Sequence, residues 1–442
     1  MSSNHRKTLQ DLRREADAAC RRADWIGALR RYRAILQGAP DDLDVRLLTA
    51  DALAAVGERD LSADVYRAAA WSYVRTGYPL RAVVAARALE KLTGVDDDLV
   101  DAITTIFADG SSRIARIGAR ATPAALTERE APVTSVLLAG PAREVARSAW
   151  AQARGVAGPA DTPSKFAPAP ILSDLAADVA VTMVRASRLR RARPGEVLAR
   201  PSAEQGSILL IARGQVELTM ATARGTCAVG TIGEGSLLGH EPFVGGGPVR
   251  TTAVAQDDVD AIEIPPEALR EASERSPEAG GVLGRTLRAE LLQSVLRTSP
   301  LFRGFPVRKR VDLLRRMQSC RFEAGSYVLR QGSTSKGTYL LLSGEVRILV
   351  GEGSAETHVL TLAAGDIVGL TSTAYDGIAT ASAVAVKETT MMFLPADAVR
   401  RLVAAYPVLG QELSAEAVSR AHEVQRASMA VAASRDSIRK RW

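Results

Sequence analysis

The chain has 442 residues, 46% hydrophobic and 24% charged, with a formal net charge of +7. This length suits about two to four domains, each able to bury a core, and the composition excludes a disordered polymer. No apolar run reaches the roughly 18 residues of a bilayer-spanning helix. The polar start, Met1-Ser-Ser-Asn-His-Arg-Lys7, has no signal-peptide core, so a cytoplasmic location is expected.

Cys20, Cys227 and Cys320 lie far apart without CxxC spacing, which argues against a disulfide framework or a structural zinc site and predicts buried free thiols. His5, His240, His358 and His422 are as scattered, so metal catalysis is not expected. Arginines alternate with Asp and Glu along every helical stretch, the pattern of solvated faces, and this argues against a nucleic-acid partner. The densest clusters are Arg188-Leu-Arg-Arg-Ala-Arg193, Arg308-Lys-Arg310 and the tail Arg435-Asp-Ser-Ile-Arg-Lys-Arg-Trp442.

From residue 6 to about 108, apolar and alanine positions recur at three- and four-residue spacing and predict helix throughout. Breaks at Asp24-Trp25, Pro40-Asp41, Gly57, Gly77-Tyr78-Pro79 and Gly94 divide the region into six helices, hence three hairpins. Trp25-Ile-Gly-Ala-Leu-Arg-Arg-Tyr32 is echoed about 35 residues later by Asp60-Leu-Ser-Ala-Asp-Val-Tyr66. Ala28 aligns with Ala63, and Tyr32 with Tyr66 to within one position. This echo resembles tetratricopeptide repeats, whose small residues let paired helices pack closely. The resemblance implies a groove for a protein partner on residues 1–110, with Trp25, Tyr32 and Tyr66 as candidate contacts. Most of the repeat consensus is absent, and a purely structural helical bundle is the alternative.

Residues 111–167 are rich in Ala, Pro and Thr, as in Ala121-Thr-Pro-Ala-Ala125 and Ala157-Gly-Pro-Ala-Asp-Thr-Pro163. They read as a tether carrying one short helix around Ala142 to Ala153.

From about residue 171 the pattern changes to short strands and glycine turns. The plan appears twice, about 130 residues apart. Arg193-Pro-Gly-Glu-Val-Leu198 matches Glu323-Ala-Gly-Ser-Tyr-Val328, and Gly235-Ser-Leu-Leu-Gly239 matches Gly365-Asp-Ile-Val-Gly369. Ser207-Ile-Leu-Leu-Ile-Ala-Arg-Gly-Gln-Val216 likewise matches Thr338-Tyr-Leu-Leu-Leu-Ser-Gly-Glu-Val346. Between the copies, Gly281 to Thr298 reads as a helix with Leu283, Leu287, Leu291 and Val295 on one face. The second copy opens on Ser299-Pro-Leu-Phe-Arg-Gly-Phe-Pro306, and its order of turns and strands resembles a cyclic-nucleotide-binding domain. The expected architecture is α+β multidomain: helical hairpin repeats, then two β jelly-roll (double-stranded β-helix) barrels with flanking helices, at residues 168–296 and 297–442.

The resemblance implies a cassette of approximately Phe-Gly-Glu-Leu-Ala-Leu, a short gap, and Pro-Arg-Ser-Ala-Thr. Its glycine admits the ligand backbone, its glutamate accepts from a ribose hydroxyl, and its arginine neutralises the cyclic phosphate. The second copy places Leu370 at the glutamate position and Ala379 at the arginine position. With no cation for a desolvated phosphodiester, it is not expected to bind in the family's way. The first copy reads Leu238-Gly-His-Glu-Pro-Phe-Val-Gly-Gly-Gly-Pro-Val-Arg-Thr-Thr252, with His240 at the glutamate position and Glu241 one place late. Arg250 is present, displaced by one residue, beside Gly245-Gly-Gly247. The candidate ligand residues are therefore Gly239, His240, Glu241, Arg250 and Thr251, in an anion pocket of altered shape.

Tyr406 to about Ala433 continues as helix with Leu409, Leu413, Val418, Ala421, Val424 and Met429, through which the resemblance implies a homodimer. No GxxxxGK[ST], GxSxG or HExxH pattern occurs, so no enzyme is expected. These features together predict a non-enzymatic regulatory or scaffold protein without cofactor. The alternative is a receptor taking cyclic AMP or cyclic GMP as ligand in the first barrel.

Overall fold

The computed structural model describes residues 7–115, 117–119, 130–131, 139–155, 162–202, 206–222, 225–303, 305–351, 356–370, 372 and 377–439. The Ala121–Ala125 tether segment, Ala157 to Asp161, cassette position Thr371 and the Lys440–Trp442 end of the basic tail lie outside them.

Six helices occupy the N-terminal region at the expected breaks: α1 (Leu9–Arg21), α2 (Trp25–Gly38), α3 (Leu43–Ala55), α4 (Arg59–Thr76), α5 (Pro79–Thr93) and α6 (Asp97–Phe107). Local chemistry fixes their starts. Asp24, Asp42 and Asp96 each accept a hydrogen bond from the backbone N–H three residues on, filling donors the first turn leaves open. Gly77 ends α4 in the left-handed conformation at φ 86°, which suits a residue without Cβ. A short ladder pairs β1 (Lys7–Thr8) with β2 (Glu130–Ala131). Helix α7 (Ala142–Arg154) is docked, not free: Val145, Ala146, Ala149 and Ala153 are buried against α2, α3 and α4. Arg46, 1% exposed, donates to the carbonyls of Ala153 (3.1 Å) and Gly155 at the end of α7.

After α8 (Ala177–Ala186) come β3 (Arg188–Ala192), β4 (Val197–Ala199), β5 (Ile208–Arg213), β6 (Val216–Thr222), β7 (Gly225–Ile232), β8 (Leu237–Leu238), β9 (Thr251–Ala255) and β10 (Val259–Ile264). They form two antiparallel four-stranded sheets, in the orders β3-β10-β5-β8 and β4-β9-β6-β7. Helices α9 (Pro266–Arg275), α10 (Pro277–Thr298), α11 (Pro300–Arg303) and α12 (Val307–Arg315) follow. The second set is β11 (Gln318–Phe322), β12 (Tyr327–Leu329), β13 (Gly337–Ser343), β14 (Val346–Val350), β15 (Thr357–Leu362), β16 (Ile367–Val368), β17 (Ser382–Ala385) and β18 (Thr389–Pro395). Its sheets, β11-β18-β13-β16 and β12-β17-β14-β15, repeat the first set strand for strand. The chain ends in α13 (Ala396–Ala405) and α14 (Pro407–Arg439).

Alternation decides what each sheet buries. Ile211, Val216, Leu218, Ala253 and Ala261 fill the space between the two sheets of the first β-domain. The other face of β5 and β10 is also apolar: Ile208, Leu210, Ile262 and Ile264 join Leu80 and Val83 of α5 and Val179 of α8 in one continuous core. The helical region and the first β-domain therefore share their packing. A separate core holds the second β-domain, with Leu291 and Val295 of α10, Phe302 of α11 and Leu409 and Leu413 of α14. Helix α10 serves both, since Leu283 and Leu287 belong to the first core. Of the stripe expected on α14, Val418 and Met429 are instead exposed, at 40% and 65%. The three cysteines are free and half-buried, not buried. Among the described residues no helix is long and apolar enough to cross a membrane, and no group of His, Cys, Asp and Glu suits a metal ion.

Candidate functional site

Strand pairing aligns the two cassettes without reference to sequence. β6 and β14 place Val216 opposite Ala255 and Val346 opposite Ala385. Counting back along β9 and β17, Val249 stands level with Ala379, and Arg250 with Thr380. Ladder bonds agree: Val249 N–H donates to Ser202 (2.8 Å), and Ala379 N–H to Ser333 (2.9 Å). Val249, Thr251, Ala253 and Ala255 are buried on one side of the strand, so the residue at the arginine position is apolar in both domains. Arg250 leaves from the opposite side.

There it meets the second β-domain. The Arg250 guanidinium donates through Nη1 to Oδ1 of Asp366 at 2.9 Å and through Nη2 to Oδ2. Asp366 belongs to the Gly365-Asp-Ile-Val-Gly369 turn, and it also receives Nη2 of Arg420 from α14 at 2.6 Å and the Ala363 N–H at 2.9 Å. Burial alone raises this carboxyl, but Arg420 and then Arg250 outweigh it and hold the acid down at about 2. Arg420 further donates to Glu416 (3.0 Å) and the Ile367 carbonyl (3.1 Å).

The glycine run of the first cassette faces the same way. The Gly245 carbonyl accepts from Gly344 N–H at 2.9 Å and the Gly246 carbonyl from Ala364 N–H at 3.2 Å. A Cβ on Gly247 would lie 2.3 Å from that of Ala363. The loop read from sequence as an anion pocket is thus part of the joint between the β-domains, where only glycine permits such backbone approach.

The remaining candidates are separated from it. Gly239 adopts φ 77°, with the Ser207 carbonyl 2.9 Å from where a Cβ would stand. His240 is 1% exposed, and neither ring nitrogen has a hydrogen-bond partner among the described residues. Glu241, 3.8 Å from His240, accepts from the Ser294 hydroxyl of α10 at 3.2 Å, so its carboxylate is turned to the helix. Thr251 is buried on the inward side of β9. The structure brings Arg250 together with Asp366 and Arg420, not with Glu241.

Inside the second β-domain, Leu329, Ile348, Leu362, Leu370 and Ala383 line a cavity of about 50 Å³, with Arg420 and Val424 of α14 at its wall. A larger cleft of about 500 Å³ lies between the β-domains, lined by Met220, Arg250, Thr298, Arg303, Asp366 and Glu416 among others.

The aromatic candidates of the helical region are placed mostly inside. Tyr32 and Tyr66 are 1% and 4% exposed, while Trp25 is half-buried. The Tyr32 hydroxyl lies 3.3 Å from the Cys20 sulfur, and that of Tyr66 donates to Asp51. Burial, then the charge of Asp51, pushes the Tyr66 phenol well above its ordinary value. Asp51 in turn accepts from Arg191 of β3 at 2.7 Å. Arg191 and Arg213 both donate to Asp260, at 3.0 and 2.7 Å. Arg81 of α5 bridges Asp44 (2.7 Å) and Glu234 (3.0 Å). This network joins helices to β-domain. Sequence reading missed it and took the Arg188–Arg193 cluster as solvated; its signal was Asp260, an acid set between Val259 and Ala261 on β10.

Residues 189–276 and 319–406 each match the family described as the cyclic nucleotide-binding domain, so the chain carries that domain in tandem. No curated protein matches the chain. Among solved structures, the regulatory domain of Toxoplasma gondii PKA in a co-crystal with cAMP is 17% identical, at a TM-score of 0.26, over 57% of this chain and 93% of that one. Thermus thermophilus catabolite activator protein is 29% identical at a TM-score of 0.27, over 30% of this chain and 63% of that one. The regulatory subunit of a cAMP-independent protein kinase A from Trypanosoma cruzi, bound to guanosine, is 17% identical at 0.26, over 57% of this chain and 86% of that one.

Proposed function

We propose that this chain is a non-enzymatic regulatory or scaffold protein of the cytoplasm, whose tandem domains serve protein interaction and not nucleotide capture. The observation that carries the reading is the apolar pair Val249 and Ala379 at the inward cassette position, with Arg250 committed to Asp366. A cyclic phosphate entering either domain would lose its water and find Val249 or Ala379 where the cassette arginine is expected, with Arg420 at the second domain's cavity already engaged by Asp366 and Glu416. Calorimetric titration of cyclic AMP and cyclic GMP into the full-length protein is expected to show no saturable heat at millimolar ligand. Full length is needed because Leu210, Ile262 and Ile264 pack on the helices.

The receptor reading has one observation in its favour: Arg250 is a cassette arginine beside a cleft of about 500 Å³. Saturable cyclic-nucleotide binding that disappears in Arg250→Ala but survives Arg303→Ala, the other arginine of the cleft, would establish it in place of the first.

Within the same reading, the helices of residues 1–110 act as tetratricopeptide-type repeats that take a protein partner, and α14 supports a homodimer. With Tyr32 and Tyr66 internal, half-buried Trp25 is the contact left on the surface side. Cross-linking mass spectrometry on the full chain should place partner contacts on residues 1–110; contacts confined to the β-domains would remove the claim. Light scattering that returns only the monomer mass would remove the dimer.

A further inference from the structure

We propose that the cleft between the two β-domains binds a phosphate-bearing ligand, with Arg250 and Arg303 as its cations and Asp366 as the internal anion the ligand replaces. The site lies outside the interior of either β-domain, so it stands whether or not a cyclic nucleotide enters one.

The cleft, about 500 Å³, sets two guanidinium groups beside apolar edges from Met220, Pro248 and Pro300. Arg250 already grips an oxyanion there, with both terminal nitrogens on the two oxygens of Asp366. The same fork fits two oxygens of a phosphate. Exchange strands no charge. When Arg250 turns to a ligand, Asp366 keeps Arg420 at 2.6 Å and the Ala363 N–H at 2.9 Å. Glu416, the other acid of the lining, is held by Arg420 at 3.0 Å. Arg303 is tied to Glu412 through one terminal nitrogen, while the other lies 3.6 Å from the Met220 sulfur, a weak acceptor. Arg250 is also the loosest member of the cluster, its side chain 29% exposed against 14% for Arg420 and 10% for Asp366. Binding therefore exchanges a bond between domains for a bond to ligand, and loosens the second β-domain from the first.

The test titrates full-length protein with inorganic phosphate and with phenyl phosphate at constant ionic strength, followed by phosphorus NMR and calorimetry. Asp366→Asn, which removes the competing charge, should tighten binding by about ten-fold or more, and Arg250→Ala and Arg303→Ala should each abolish it. Phenyl phosphate binding the more tightly would assign the site to phosphate esters; equal affinity would assign it to the phosphate group alone. No binding even in Asp366→Asn, or binding indifferent to Arg250→Ala, overturns the proposal. Should the alanine variant fail to fold, Arg250→Lys keeps the charge without the fork and is expected to weaken binding several-fold. Binding lost in Arg250→Ala yet unchanged in Arg303→Ala would move the anion into the first β-domain, overturning the cleft while leaving the receptor reading alive.

Discussion

Asp366 and its two arginines illustrate how unequal the partners of one carboxylate can be. Arg420 is nearly buried and also holds Glu416, so Arg420→Ala leaves Asp366 one cation short in the interior. We expect a loss of about 3 kcal/mol in urea denaturation. Arg250→Ala removes a more exposed partner and leaves Arg420 in place, so a loss of about 1 kcal/mol is expected. The pH dependence has a fixed sign. Because the folded acid is held at about 2, below its usual range, its contribution is complete above pH ~4 and drains away as pH falls toward 2. Acid titration of stability should show this loss in the parent protein and not in Asp366→Asn. None of this was legible from sequence: Arg250 and Asp366 are 116 residues apart, and no periodicity links them. The departure of the cassette was legible, because a one-residue displacement of arginine on a strand reverses the side it faces.

At the scale of elements, the joint depends on close backbone approach. Gly247 and Gly325 share φ +81°, but a Cβ on Gly247 meets Ala363 at 2.3 Å whereas one on Gly325 meets nothing within 4 Å. Both alanine variants bear the left-handed strain of about 1 kcal/mol. Gly247→Ala should cost about 1–3 kcal/mol more, from steric overlap at the joint. Equal melting shifts for the two would show that the β-domains do not touch there. Helix boundaries in the N-terminal region were readable because each is written locally, in capping aspartates and a left-handed glycine. The position of α7 was not. Its alanine-rich face suits a tether as well as a packed helix, and the partner that decides the matter, Arg46, lies 107 residues away from Ala153.

For the whole molecule, the division of packing does not follow the division of sequence. Tandem copies were plain from their glycine turns, yet the first copy shares its core with the helices and the second has its own. Helix α10 crosses the boundary between Leu287 and Leu291. We expect Leu287→Ala to lower the unfolding transition of the helices and first β-domain, and Leu291→Ala that of the second β-domain, each by about 3 kcal/mol. Hydrogen exchange resolved by segment would separate the two. A single uniform loss from both variants would mean that the molecule unfolds as one.

The shared core also sets a schedule for synthesis. Helix α5 leaves the ribosome with Leu80 and Val83 uncovered, and the residues that cover them, ending at Ile264, emerge roughly 10–35 s later at ~5–20 residues per second. During that interval the nascent helices carry an open greasy face, and the strands that will close it arrive last. Ribosome stalling or a slow codon run ahead of β10 would lengthen the exposure, and a holding chaperone would find its binding site on α5.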